Sequence, residues 1–151
     1  MEVILSLVTI LISAAGTMLA PAAGAVHSES VNHRGANYDV AYQALVSGQM
    51  RTVGAATGAR PSGQRCLVTA KVTVERSIAK PGSAESMTAL IPGEHVLTRN
   101  LAGSCVGRAD EAQKLAASQA DSVRAHLAQV AAADRSQTLS AIDSAHGVVS
   151  N

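Results

Sequence analysis

The sequence predicts an α+β domain: about four antiparallel strands in a meander, covered on one face by a long C-terminal helix and a short last helix, with one disulfide. Three observations carry this prediction. In residues 65–78, RCLVTAKVTVERSI, Cys66, Val68, Ala70, Val72, Val74, Arg76 and Ile78 fall on one side, and Arg65, Leu67, Thr69, Lys71, Thr73, Glu75 and Ser77 on the other. A period of two describes a strand with one face against a core and one in water. From Asp110 the period turns helical, with Ala112, Leu115, Ala116, Gln119, Ala120, Val123, Leu127 and Val130 in one stripe. Strands first and helices afterwards is the order of an α+β layer pair. Finally, Cys66 and Cys105 are the only cysteines, one at the head of the clearest strand and one just past the last strand.

Residues 1–25 read as a signal peptide. Val3 to Ala15 is an apolar run, GTMLAPAAGA follows it, and Ala23 with Ala25 supply the two small residues that a signal peptidase needs for cleavage after Ala25. The first residues carry Glu2 and no Lys or Arg, which departs from the usual pattern. A membrane association requires that this segment is kept as an anchor, and its 18 residues from Val3 to Ala20 are near the minimum for a span. Cleavage places the protein in the periplasm or outside the cell, as a bacterial envelope or secreted protein. In such an oxidising compartment the two cysteines are expected as a pair.

The remaining elements follow in chain order. Residues 26–36 lack periodicity and read as a flexible lead-in, so the domain is expected over 37–151, with the sheet in 37–105 and the helices in 109–146. Tyr38, Val40, Tyr42, Ala44 and Val46 alternate, which predicts a strand ended by Ser47 and Gly48. A helix over 37–47 also fits the pattern, but Tyr and Val favour the strand. Met50–Ala55 is a short second strand, and Gly54 to Gly63 a turn-rich loop. After the central strand, AKPGSAES breaks the chain, MTAL is a brief edge piece, IPGEH a turn and His95 to Leu101 a strand. Asp134 to Gln137 looks like a helix break with a new cap, and Gly147 the stop of a short last helix.

Candidate chemistry is sparse. GSCVG at 103–107 has the spacing of a nucleophile elbow, and a thiol-dependent enzyme using Cys105 with His126 is one reading. The parallel α/β sheet that displays such an elbow has no counterpart in this sequence, and export favours a disulfide. His27, His33, His95, His126 and His146 show no short metal-ligand spacing, and no cofactor motif is present.

Charge is more informative. Residues 34–108 hold nine Lys or Arg against four Asp or Glu, and residues 109–151 hold three against five. Arg60, Arg65 and Lys71 are therefore the candidate anion-binding surface, and Arg76 is set apart because its parity sends its stem to the core and its head to the sheet edge. An envelope protein or an anionic surface is the expected partner. With only Tyr38 and Tyr42 as aromatics, the stacking platform of single-strand nucleic-acid binders is missing. The expectation is a non-catalytic exported binding or structural domain. An inhibitor or partner-binding module working through the loop 58–64 is the further alternative.

Overall fold

The computed structural model of the protein describes residues 20–55 and 63–149. The expectations that fall on residues 1–19, on Arg60 and on most of the loop 58–64 lie outside the described residues. Four strands form one antiparallel sheet in chain order: β1 (Ala20–His33), β2 (Ala36–Val53), β3 (Arg65–Ala79) and β4 (Ser86–Ala102). Two helices follow, α1 (Glu111–Ser118) and α2 (Ala120–Val149). The predicted α+β meander and its disulfide are both present.

β3 is the centre of the sheet and keeps the predicted alternation along its whole length. Cys66, Val68, Ala70, Val72, Val74, Arg76 and Ile78 are all buried, and the intervening residues are at least partly exposed. Each fully buried Val or Ile contributes about 1.5–3 kcal/mol. The register extends the buried face to Tyr42 and Val46 on β2 and to Leu97 on β4. α1 packs on β2 and β3, and α2 crosses all four strands on this same face. The core is built mainly from Val, Ala, Leu and Ile, joined by Tyr38, Tyr42 and Cys66 from the sheet, with Ala112, Leu115, Ala116, Val123, Leu127, Ala131 and Ile142 from the helices.

Several element expectations are corrected. Residues 26–36 are ordered: Val26 to His33 pair with β2, and Arg34 and Gly35, at φ 51° and 76°, close the hairpin. Two consecutive positive φ values match a primed two-residue turn. The strand escaped detection because its core-facing positions are His27, Glu29, Val31 and His33, of which only Val31 is apolar. The expected cleavage point after Ala25 falls inside β1, at a register irregularity between Pro21 and Val26, so the pairs from Val26 to His33 all lie beyond it.

The two short strands expected over 38–55 are one strand, β2. Gly48 does not end it; a Cβ there would lie 2.5 Å from the Cβ of Ala112, so the glycine admits α1 close to the sheet. β4 likewise runs through MTAL, IPGEH and the His95 strand. Ile91 pairs with Val74 and His95 with Val72, so Pro92, Gly93 and Glu94 bulge out opposite the single residue Thr73. Finally, the long helix is the second, not the first. The break comes at Gln119, whose φ of −115° leaves the helical region, and α2 runs unbroken through Asp134–Gln137 and past Gly147.

Candidate functional site

Asp134 resembled a helix cap in the sequence because it opens the polar stretch Asp134–Arg135–Ser136–Gln137. In the structure it faces inward from the middle of α2, at 7% exposure, with Thr138 one turn later at 1%. Both meet Arg76 from β3. Arg76 Nη1 donates to Asp134 Oδ2 at 2.7 Å and to Thr138 Oγ1 at 3.3 Å. Tyr42 OH donates to the same carboxylate oxygen at 3.2 Å, and Thr138 Oγ1 donates to it at 3.1 Å. Arg76 therefore does not send its head to the sheet edge as expected; helix and central strand enclose it.

A carboxylate oxygen with three donors, one of them the Arg76 cation, meets the needs of a buried charge. Burial raises the Tyr42 phenol above its ordinary pKa, and the neighbouring negative charge of Asp134 adds to the rise. The phenol thus stays protonated and keeps donating. With Tyr42, Arg76, Asp134 and Thr138 all buried, the cluster ties α2 to the sheet and presents no nucleophile to a substrate. The sequence did hold a signal for it. Val123, Leu127, Ala131, Asp134, Thr138 and Ile142 continue one helical stripe, so a polar pair at stripe positions called for a partner, and Arg76 was the one cation with core parity on β3.

Further polar contacts fasten the end of α2. Asp143 Oδ1 lies 2.8 Å from His33 Nε2 and 2.7 Å from Arg34 Nε. Its carboxyl sits below the usual range, first through the hydrogen bond to His33 and then through the charge of Arg34. Tyr38 OH and His146 Nε2 are 3.1 Å apart. Beside them lies a groove of about 780 Å³, lined by Tyr38, Ile78, Lys80, Met87, Ile142 and His146 among others. Among the described residues no group of three or more His, Cys, Asp or Glu is arranged to hold a metal ion.

Cys66 and Cys105 form the predicted disulfide, with Cα atoms 4.9 Å apart. Cys105 N–H donates to Thr52 Oγ1 at 3.0 Å, and Gly103 N–H to the Gln64 carbonyl at 2.9 Å. GSCVG is thus a loop pinned to β2 and β3. Its thiol is consumed, and His126 stacks on His95 of β4 at a centroid distance of 5.1 Å.

Among the described residues no helix packs on the outward face of the sheet. Neutral polar side chains such as Ser47, Thr69, Thr73, Ser77 and Thr98 cover much of it, as their register with the outward residues of β3 requires. Arg65 and Lys71 share this face, but six residues of one strand separate them by about 20 Å. Lys71 Nζ is 3.3 Å from Glu94 Oε2, which neutralises it. The sequence reading passed over two cations that stand near Arg65. Arg51 lies opposite Leu67, two pairs along from Val53 and Arg65 and therefore on the same face. Arg108 Nη2 donates at 2.8 Å to the carbonyl of Ala102, the residue opposite Arg65 on β4. Among the described residues no carboxylate pairs with Arg51, Arg65 or Arg108. Comparison of the chain with protein-family models, with curated proteins and with solved structures finds no match.

Proposed function

We propose that the protein is an exported, non-catalytic binding domain that meets a phosphate-bearing anionic surface of the envelope with the open face of its sheet. The observation that carries this reading is the asymmetry of the sheet: one face is closed by two helices, and the other leaves Arg51, Arg65 and neighbouring Arg108 without carboxylate partners. Lys71, on the same face, is paired with Glu94 and adds little to this charge. The disulfide supports export, since such a bond persists in oxidising compartments. Among the described residues no helix is long and apolar enough to cross a membrane.

Binding to vesicles containing anionic phospholipid, against purely zwitterionic vesicles, tests the proposal. Each arginine near such a surface is worth about 1 kcal/mol, or about fivefold in affinity. Arg51→Ser and Arg65→Ser are each expected to weaken binding by about that factor at low salt, and Lys71→Ser by much less because Glu94 already engages it. Binding is expected to fall steeply towards physiological salt. Equal binding by the wild type and the double arginine variant, or no binding by either at low salt, contradicts the proposal.

A further inference from the structure

All five histidines stand on the closed side of the sheet or on α2, which packs there. His27 lies opposite Tyr42 on the core face, and His33 and His95 share that face. His126 and His146 belong to α2. Their surroundings differ in one respect. His33 meets the carboxylate of Asp143 at 2.8 Å. His126 meets another imidazole. The rings of His95 and His126 are stacked, 5.1 Å between centroids and 21° from parallel. His95 Nε2 is held by Ser122 Oγ at 3.0 Å, and His126 Nε2 is buried without a hydrogen-bond partner among the described residues.

The charged groups around this stack give a second positive charge nothing to pair with. On β4, the same face carries Arg99 four residues away, a cation whose Nη2 donates to Ser118 of α1 at 2.7 Å. On β3, the residue opposite His95 is Val72, and the next ionisable side chain on that face, Arg76, is committed to Asp134. The nearby carboxylates are engaged elsewhere: Glu94 with Lys71, Asp121 with Arg124, and Glu111 with Lys114.

We propose that the stacked His95–His126 pair is an acid-sensitive latch, and that its protonation frees the first part of α2, from Ala120 to Val130, from β4. The second part stays held by Asp134 on Arg76 and by Asp143 on His33 and Arg34. Opening uncovers the apolar stripe of Val123 and Leu127 together with Leu97 of β4, all buried when the latch is closed. Burial first, and the neighbouring His95 second, hold His126 below its ordinary pKa of 6.5. A group lowered in this way contributes its full stability above about 6.5 and loses it as the pH falls from there towards the folded-state value.

Amide hydrogen exchange of the oxidised protein, corrected for intrinsic rates and followed from pH 7.5 to 5, tests the latch. Amides in 120–130 and around His95 are expected to open increasingly, by at most about tenfold per pH unit for one proton taken up. Amides in 134–146 are expected to keep their protection. His126→Phe retains a ring on His95 and should remove the acid response; His95→Gln, which retains a polar partner for Ser122, should do so as well if the first variant fails to fold. His33→Gln should leave the response in 120–130 unchanged. An acid response in His126→Phe or His95→Gln equal to that of the wild type, a loss of protection spread evenly along α2, or no loss in the wild type down to pH 5 overturns the proposal.

Discussion

Arg76 and Asp134 show how two residues can be visible in a sequence and still be misread. Arg76 had core parity, and its side chain was expected to escape to the edge because a lone buried guanidinium is costly. Asp134 looked like a cap because Asp and Ser favour helix N-termini. Each reading was sound locally, but the two residues are 58 apart in the chain, and only the packing of α2 on β3 joins them. Removing one partner leaves the other charge buried, so Asp134→Ala or Arg76→Ala is expected to cost about 3–5 kcal/mol. Replacing both with apolar residues, as in Arg76→Met with Asp134→Leu, is expected to restore much of that loss. Urea denaturation of the three variants measures the difference. A double variant as unstable as the sum of the singles sinks the account of a closed ion pair. Among the candidate cations, Lys71 was legible as outward-facing, but its neutralisation by Glu94 was hidden, because Glu94 reaches it only across the bulge in β4.

Element by element, legibility tracked how apolar the buried face is. β3 buries only apolar side chains apart from Arg76, and its predicted limits match the observed strand within a residue at each end. β1 turns two histidines and a glutamate towards the helix, so its period carried no hydropathy signal. Glycine and proline misled in the other direction: Gly48 and Pro92–Gly93 were taken as chain breaks, and both lie within strands. Gly48 gives the sharper test. Its place in a strand argues that valine should help, by β propensity. The 2.5 Å approach to the Ala112 Cβ argues the opposite, because the added atoms must push α1 outward. Gly48→Val is expected to destabilise by about 1–3 kcal/mol, with partial recovery in Gly48→Val combined with Ala112→Gly. A stabilised single variant in thermal denaturation contradicts the close packing of α1.

At the scale of the whole molecule, the protein has a closed side and an open one. The disulfide joins the head of β3 to the loop before α1, across 39 residues of chain. Chain-entropy arguments assign such a closure about 4 kcal/mol. The variant with both Cys66→Ser and Cys105→Ser should lose about that much stability, and alkylation of the unreduced wild type should label neither cysteine. The class of fold was legible because it depends on the order of two periodicities. The open-face cations were only partly so, because which arginines become neighbours depends on strand register, and the register follows from the hairpins rather than from composition. Arginine modification by phenylglyoxal, read by mass spectrometry with and without anionic vesicles, tests most directly whether the open side is the working side. Arg51, Arg65 and Arg108 are predicted to react more slowly when vesicles are present, while Arg135, exposed on α2 and unpaired among the described residues, reacts at its free rate. Protection of Arg135 with unchanged reaction of Arg51 and Arg65 would place the contact on the helical side and contradict the account.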